Sequence, residues 1–527
     1  MAMRSDGVSL FLIEFGLVAL SASAAFIWPV SRSSHVHALS RAFNAIAARR
    51  GVSVFLIGIC AIVMRLLALP FAPLPKPFIE DDFSFLLAAD TFASGRLTNA
   101  TPAMWTHFES FHITMLPTYM SMYFPAQGMA MAAGKVLLGD PWFGVLVTTA
   151  LMCAALCWML QAWLPPKWAL LGGFLAILRL GLFSYWINTY TGGSIAALGG
   201  ALVLGALPRI LKAFQVRDFF WMALGMALLG NSRPYEGLLI CVPAIAFLFW
   251  KFRTNPHPGF HALSRRAAPA LLLLLGTVMF MGYYNYRVFG NVLTPPYKVN
   301  RDTYAIAPHF LWQQPRPEPV YRHKVIHDFY AEWELEWFNK SRTLGGLVEM
   351  NSLKLVRTGS FFLGFALLLP LIMLPRALRD RRIRILVWIG LVFVAGLGIE
   401  TWLFPHYLAP FTPILYAILL QCMRHMQAWR YAGRRPGVFL IRAIPAICVL
   451  LCVVRLYANP LQVTLAPDAS LTCAWFGTRP LGLERARVLS DLEKQPGKQL
   501  VLVRYSAKHD VVTDWVYNAA DINASKV

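Results

Sequence analysis

Charged residues are scarce in this chain, and acids are scarcer than bases. Of 527 residues, 14% are charged and 57% are hydrophobic, with 26 Asp and Glu against 48 Lys and Arg. The mean hydropathy of +0.53 is more than a water-soluble globular domain of this size sustains. This composition excludes a soluble protein and predicts a polytopic membrane protein.

The chain also lacks a disulfide framework, internal repeats and low-complexity tracts. All but one of its eight cysteines fall inside apolar runs, where they are most simply packing residues. The formal net charge of +22 would suggest nucleic acid in a soluble chain, but here the bases form short patches between apolar stretches. We therefore expect the lipid bilayer as a partner, and no nucleic acid.

Ten apolar stretches are long enough to cross a hydrocarbon core. They cover residues 8–30, 51–72, 142–163, 169–187, 192–208, 268–288, 358–375, 385–403, 407–423 and 437–457. Two shorter ones, 219–230 and 238–250, flank the sequence NSRPYEG, which predicts broken helices that meet within the membrane. The predicted fold class is an all-α polytopic membrane protein with about twelve membrane helices, two of them short and broken.

The positions of Lys and Arg predict the orientation. If the stretches alternate, the basic patches between them share one side, and the positive-inside rule makes that side cytoplasmic. The outer side then receives two long loops, 73–141 and 289–357, and the tail. We expect a multi-pass protein of the bacterial inner membrane.

Three regions follow from this topology. Residues 1–50 are predicted to be an anchor helix and a cytoplasmic linker, residues 51–457 the transmembrane domain, and residues 458–527 an outer segment. In that segment, 499–506 alternates like a strand after a turn signal. We expect a small α/β element there or the start of a larger one, because the tail reads as truncated at Val527.

The acidic run Glu80-Asp81-Asp82 lies just beyond the apolar stretch 51–72. Carboxylates at the mouth of a membrane cost free energy, so they serve to anchor a loop, bind a cation or deprotonate a hydroxyl. We predict the last, with Asp81 and Asp82 as the catalytic residues. Asp82 could instead cap a helix beginning near Phe83, and the apolar spacing of 83–95 predicts an amphipathic surface helix.

The rest of loop 73–141 carries polar groups among aromatic residues, as a reaction cavity would. We expect His107, Glu109, Tyr123 and Gln127 to contact substrate. Tyr123 could equally belong to the aromatic belt of the membrane interface. His107, Glu109 and His112 could ligate a metal, although their spacing matches no strong zinc pattern.

A second set of candidates lies in or beside apolar stretches. Arg233 and Glu236 both lie at the NSRPYEG break. Arg233 could form a structural ion pair with Glu236, or it could bind a lipid-linked phosphate. His406 and Tyr407 open a membrane helix on the outer side. They could hydrogen-bond an anionic headgroup or simply close the helix end.

These residues together resemble the C-type (GT-C) integral membrane glycosyltransferases. The resemblance rests on a transmembrane helix followed by EDDFSFLLAADTFASGRLTNATP, then YFPAQG and many apolar stretches, with SYWINTYTGG and NSRPYEG at matching places. It covers roughly residues 51–460, and the chain resembles the group that includes the aminoarabinose transferases of lipid A and the protein O-mannosyltransferases. The first helix and the tail are not typical of the family.

The resemblance implies a function. Family members take sugars from polyprenyl phosphate, and the first Asp of the acidic pair is the catalytic residue, which here corresponds to Asp81. Asp82 stands where many relatives have Glu, so a divalent cation at Asp81 and Asp82 stays an open alternative. The implied acceptor is a hydroxyl of a lipid, glycan or protein on the outer face, and the implied stereochemistry is inverting.

A transporter or flippase of lipid-linked sugars is the competing interpretation. It would also use broken helices and intramembrane arginines. It would not need a long acidic loop on one side only, and the sequence has no paired helix breaks in two halves. Little in the sequence favours a third interpretation, a noncatalytic membrane scaffold.

Overall fold

The computed structural model describes residues 8–28, 34–254, 260–465 and 473–527, and the predicted anchor and tail include residues outside these ranges. The first half of the chain forms α1 (Leu10–Ile27), α2 (Ser34–Ala48), α3 (Arg50–Leu67), α4 (Glu80–Ala93), β1 (Ile113–Thr114), β2 (Met120–Ser121), α5 (Pro125–Leu138), α6 (Trp142–Trp163), α7 (Pro166–Ala176), α8 (Tyr185–Asn188), α9 (Gly193–Ala213), α10 (Val216–Gly230) and α11 (Pro234–Thr254). The second half forms α12 (Phe260–Phe289), α13 (Pro296–Tyr304), α14 (Lys324–His327), α15 (Leu335–Ser341), α16 (Leu344–Phe362), α17 (Gly364–Leu368), α18 (Leu374–Leu378), α19 (Arg384–Gly398), α20 (Thr412–Gln427), α21 (Pro436–Leu456) and α22 (Leu483–Lys494).

The fold is mostly helical, as predicted for a multi-pass membrane protein. Seven helices in the described parts of the chain are long and apolar enough to cross a membrane, namely α1, α3, α6, α9, α11, α12 and α21. An eighth span arises if α16 and the segment Gly364–Leu378, which meet at a bend of 102°, are taken together. The predicted number of about twelve is not confirmed.

All twelve predicted apolar stretches nevertheless contain helix. The difference in number arises because several of these helices are short or interrupted. Within the stretch 169–187, α7 is followed by a π-helical turn, Ile177–Gly181, and by the four-residue α8. Helices α10, α19 and α20 have 15, 15 and 16 residues, so each is too short to cross about 30 Å of hydrocarbon alone.

The predicted break at NSRPYEG is present. Helix α10 ends at Gly230, α11 begins at Pro234, and the three residues between them form a turn. Proline fits the first turn of α11, where its missing N–H has no intrahelical acceptor. The turn exposes Arg233 to the space between the helices.

The predicted surface helix 83–95 is helical but does not lie on a surface. Helix α4 begins at Glu80 and is buried along most of its length, because the antiparallel pair β1–β2, helix α5 and the tail cover it. Asp90, a polar residue of this helix, accepts a hydrogen bond from Lys135 at 2.7 Å and another from the Tyr517 hydroxyl. The amphipathic interpretation was therefore wrong.

The predicted strand 499–506 is also absent. These residues belong to no strand, and the tail contains one helix, α22, within its described part. The apolar side chains of the segment stay largely exposed, with Leu500 at 79% and Leu502 at 89%. Alternating hydrophobicity forms a strand only when a partner strand accepts its hydrogen bonds, and the described tail offers none.

A buried ion pair joins the first helix to the rest of the chain. The Glu14 carboxylate in α1 accepts hydrogen bonds from Arg179 at 2.6 Å, from the Trp475 indole at 3.1 Å and from the Ala366 backbone at 3.2 Å. Arg179 lies in the π-helical turn, and its guanidinium also stacks on Trp475. The predicted anchor helix is thus packed into the protein at this point.

Candidate active site

A cavity of about 420 Å³ opens where the first turn of α4 meets the start of α11. The segments that line it come from distant parts of the sequence: the loop before α4, α8, α13, the loop before α20 and the tail segment 473–483. Of the ten predicted site residues, five line this cavity, namely Asp81, Tyr123, Arg233, His406 and Tyr407.

Asp81 is held by two side chains from the neighbouring loop. One of its carboxylate oxygens lies 2.8 Å from His112 Nδ1 and accepts the Tyr123 hydroxyl. The Tyr123 oxygen also lies 3.1 Å from His112 Nδ1, which closes a triangle of three polar groups. Burial alone would raise the pKa of Asp81, but the hydrogen bonds and charge of this environment lower it to about 2. Asp81 is therefore ionised at neutral pH.

Asp82 points away from the cavity. Its two carboxylate oxygens accept the backbone N–H groups of Tyr190, at 2.9 Å, and Phe78, at 3.3 Å. The residue that precedes α4 as its N-cap is Ile79, so Asp82 does not cap the helix in the predicted way. Burial raises the pKa of Asp82 to about 7 despite these hydrogen bonds.

Glu80 adds a third carboxyl group that the sequence interpretation did not assign. It lines the cavity, and its Oε2 is buried without a hydrogen-bond partner. Burial and the neighbouring charge of Asp81 raise the pKa of Glu80 well above its ordinary range. Ligand atoms of Glu80, Asp81 and His112 lie within 4.8 Å of one another, an arrangement that fits a divalent cation. The pair Asp81 and Asp82, the cation ligands considered first, does not form that group.

Arg233 faces the cavity from the break between α10 and α11. Its guanidinium stacks over the Tyr407 ring at 4.3 Å and lies 3.4 Å from the Glu236 carboxylate. At this distance the ion pair with Glu236 is weak, so most of the five N–H donors of the guanidinium stay available to another group. Both predicted roles, structural pair and anion site, are compatible with this geometry.

His406 and Tyr407 lie in the loop before α20. The His406 Nδ1 is 3.0 Å from the Tyr185 hydroxyl, and burial, together with the charge of Arg233, lowers the pKa of His406 well below its ordinary value. His406 is therefore neutral at pH 7 and can offer both a donor and an acceptor. Tyr407 presents its ring to Arg233 and lines the same cavity.

The remaining predicted substrate contacts lie elsewhere. His107 is exposed and does not line the cavity. Glu109 is buried, but it binds the Tyr304 hydroxyl at 2.9 Å and Arg322 at 3.1 Å, so it ties two loops together. A metal site of His107, Glu109 and His112 is not formed, because β1 begins directly after His112 and turns that residue towards Asp81.

Gln127 does not line the cavity but stabilises the backbone of a neighbouring loop. Its amide donates to the Tyr190 carbonyl at 3.1 Å and packs on Gly192, whose φ of +79° suits glycine. Gln127 lines a separate small pocket, which it shares with Tyr123 and Arg233. It therefore positions the backbone that Asp82 also holds, and it does not reach the cavity.

Several cavity residues were missed by sequence reasoning. Tyr297 in α13 packs edge-on against Tyr123 with ring centroids 5.5 Å apart. Arg301, one helical turn further, forms a buried pair with Glu334 through two hydrogen bonds of 2.7 and 2.8 Å. The only sequence signal was the concentration of Tyr, Trp and Arg in loop 289–357, which does not indicate individual residues.

Comparisons with known proteins give structural likenesses only. No protein-family model and no curated protein matches this chain. The oligosaccharyltransferase of Archaeoglobus fulgidus, solved with a tethered acceptor peptide containing the NVT sequon, is 11% identical and matches 85% of this chain with a TM-score of 0.47. ArnT from Cupriavidus metallidurans, solved bound to undecaprenyl phosphate, is 13% identical and matches 85% of this chain with a TM-score of 0.43.

The two comparisons differ in how much of each relative they cover. The match spans 57% of the oligosaccharyltransferase chain and 83% of the ArnT chain. Both proteins are C-type glycosyltransferases, the family that the sequence resembles. With identities of 11% and 13% and TM-scores below 0.5, these likenesses assign no activity to this chain.

Proposed function

We propose that this chain is a membrane glycosyltransferase that moves a sugar from a polyprenyl-phosphate donor to an acceptor hydroxyl, with inversion at the anomeric carbon. One observation carries the proposal: the ionised Asp81 and the cation Arg233 line one cavity, together with Tyr123, which hydrogen-bonds Asp81. Displacement at a phosphate-linked sugar needs these two opposite charges close together, a base for the nucleophile and a cation for the leaving phosphate.

The chemistry assigns a role to each charged group. The acceptor hydroxyl donates a hydrogen bond to Asp81, and its oxygen attacks the anomeric carbon. As the new carbon–oxygen bond forms, the proton passes to Asp81, and the bond to the phosphate oxygen breaks on the opposite face. The leaving polyprenyl phosphate keeps the electron pair and is stabilised by Arg233, with Tyr407 and neutral His406 as hydrogen-bonding neighbours.

The surroundings of Asp81 suit this role. His112 and Tyr123 hold its carboxylate ionised and fixed in direction, so no proton has to leave before the acceptor binds. A carboxylate with a low pKa is a weak base, but the hydroxyl becomes strongly acidic once its oxygen bonds to the anomeric carbon. If a divalent cation binds at Glu80, Asp81 and His112, it supplies positive charge beside the reacting groups.

The proposal includes the location of the reaction. We infer that the cavity faces the extracytoplasmic side, because the basic patches between the apolar stretches lie on the opposite side of the predicted topology. Donor and acceptor would then meet outside, in the inner membrane of a bacterium. The three-region division at residues 50 and 457 and the identity of the acceptor as lipid, glycan or protein belong to the same proposal.

The decisive experiment is sugar transfer by Asp81→Asn in purified protein. Asparagine keeps the size and one hydrogen-bond acceptor but removes the charge and the proton affinity, so we expect loss of activity by a factor of about 10³ or more. Polyprenyl-phosphate sugar in detergent is the donor, which excludes transport as a source of product. Transfer at the wild-type rate by Asp81→Asn would remove this residue from catalysis, and no transfer by wild-type protein would reject the enzyme.

A further inference from the structure

The cavity contains a second group of cations besides Arg233. The group comprises Lys76, Arg357, Arg455 and Arg479, all of which line the cavity that contains Asp81. They gather around the tail segment 473–483, which contributes Arg479 itself. Lys76 lies beside Gly482 of the same segment.

Arg455 is fixed in this group by the tail backbone. At the end of α21, its guanidinium donates to the carbonyls of Phe476, at 2.8 Å, and Thr478, at 2.7 Å. Arg479 follows directly and adds a second positive charge that repels the first. The hydrogen bonds of Arg455 thus hold the backbone that leads to the exposed Arg479, and an anion between the two like charges would stabilise the pair.

In the described ranges 8–28, 34–254, 260–465 and 473–527, none of these four side chains forms an ion pair with a carboxylate, although Asp510 lines the same cavity. The other two cavity arginines differ in this respect, because Arg301 pairs with Glu334 and Arg233 approaches Glu236. Arg357 is the clearest case. It lies within α16, half of the bent pair that qualifies as a membrane span, and its Nε is buried without a hydrogen-bond partner.

A half-buried cation with an unpartnered donor would be stabilised by an anion that enters the cavity. The Arg357 guanidinium stacks near Trp337 and Phe404, at 5.3 and 5.7 Å, which fixes its plane but does not supply charge. Flat guanidinium groups held in this way match the oxygens of a phosphate.

The second group is distinct from the Arg233 site. Arg233 shares a small pocket with Tyr123, the residue that hydrogen-bonds Asp81, whereas Arg357 is not part of that pocket. The rings of Phe404 and Tyr407 lie between Arg357 and Arg233. The donor phosphate is bonded to the sugar carbon under attack, so it belongs beside Arg233. This leaves the second group for another anion.

We propose that Lys76, Arg357, Arg455 and Arg479 form a second anion site, which binds a phosphate ester carried by the acceptor. The assignment of the bound anion to the acceptor rests on the proposed function, but the anion site itself does not depend on it. The expected acceptor is thus an anionic molecule, such as a phospholipid or another phosphate-bearing glycan, and the cavity binds two phosphates at once.

The test measures lipid binding to the purified full-length protein by native mass spectrometry. The probes are phosphatidylglycerol and phosphatidylcholine, each offered with and without undecaprenyl phosphate. We expect wild-type protein to bind phosphatidylglycerol and undecaprenyl phosphate together, and phosphatidylcholine weakly. The double variant Arg357→Gln, Arg479→Gln should bind phosphatidylglycerol about tenfold or more weakly and undecaprenyl phosphate unchanged.

Controls separate charge from folding and lipid from soluble ligand. The double variant Arg487→Gln, Arg504→Gln removes two exposed tail cations and should leave all binding unchanged. Glycerol phosphate as competitor distinguishes the sources: displacement of phosphatidylglycerol at comparable concentration assigns a soluble phosphate ester, and failure to displace it assigns a lipid. Arg357→Lys keeps the charge and should retain most of the binding.

Three results would overturn the inference: equal binding of phosphatidylcholine, unchanged phosphatidylglycerol binding in the double variant, or selective loss of undecaprenyl phosphate, which would make this the donor site. Asp81→Asn separates this site from the reaction, because it should bind both lipids normally. If wild-type protein binds both and transfers nothing, the proposed function fails while the anion site stands.

Discussion

Asp81 and Asp82 are adjacent in the sequence, and their carboxylates meet opposite surroundings. Asp81 faces the cavity between His112 and Tyr123, and its pKa is lowered to about 2. Asp82 is enclosed by the backbone N–H groups of Tyr190 and Phe78, and burial raises its pKa to about 7. One acid is therefore available to a substrate, and the other holds the chain that shapes the site.

Asp82 predicts a pH dependence of stability. In the folded protein it keeps its proton up to about pH 7, whereas an unfolded aspartate loses it near pH 4. The stability due to this raised pKa is fully present below about pH 4 and is lost as the pH rises through 7, with a slope of at most ~1.4 kcal/mol per pH unit. Asp82→Asn should flatten this slope in thermal unfolding measured between pH 4 and 8.

The matched control for Asp82 is Asp491→Asn. Asp491 is an exposed acid of α22 paired with Lys494, and its removal should leave the pH dependence as in wild type. Asp82→Asn should also reduce sugar transfer less than Asp81→Asn does. Equal losses in both variants would return Asp82 to the catalytic role first predicted for it.

His112 should control the protonation of Asp81. His112→Gln removes the Nδ1 contact that helps to lower the pKa of Asp81, so that pKa should rise. Because the reaction needs ionised Asp81, the acid limb of the pH–activity profile should move to higher pH. His107→Gln, at an exposed position, is the control. Identical profiles for His112→Gln and wild type would contradict this role.

Arg233 should act mainly on the donor. Arg233→Ala removes a cation that we place beside the leaving phosphate, so KM for the polyprenyl-phosphate sugar should rise about tenfold or more. Glu236→Gln removes only its weak ion-pair partner at 3.4 Å and should change KM little. If both variants lose folded protein equally and donor affinity is unaffected, the arginine is structural.

The buried pair Arg301–Glu334 should stabilise the loop above the cavity. Glu334→Gln leaves Arg301 buried without a counter-charge, which should lower the free energy of unfolding by about 3–5 kcal/mol. Glu336→Gln, at an exposed position two residues away, should change it by no more than ~0.5 kcal/mol. Denaturant unfolding of the two variants in the same detergent measures the difference, and similar midpoints would show that the pair contributes little.

Much of the fold could be predicted from the sequence, because apolar runs of membrane length have few alternatives to a helix. Where the prediction failed, the outcome depended on tertiary contacts that the sequence does not show. Helix α16 begins at Leu344, well before the predicted stretch 358–375. The start was missed because Lys354 and Arg357 interrupt the apolar run, and the bond from Lys354 to the Glu400 carbonyl is a tertiary contact. Helix α4 was placed on the membrane surface because nothing in its sequence announces the tail that covers it.

The candidate site was predictable in its centre and not at its edges. The acidic run at the end of an apolar stretch pointed to Asp81, and the break at NSRPYEG pointed to Arg233. His112 is 31 residues from Asp81, and a left-handed φ of 56° and the pair β1–β2 bring the two together. Spacing could group His112 only with its sequence neighbours His107 and Glu109, which point elsewhere.

The Glu14 carboxylate has a consequence for biogenesis. Its partners are Arg179, Ala366 and Trp475, and the last of these is 461 residues further along the chain. Helix α1 is therefore synthesised long before all of its partners exist. Until Trp475 has been synthesised, the Glu14 carboxylate lacks the hydrogen bond from its indole. A nascent chain that stops earlier therefore leaves α1 without one of the contacts that hold it.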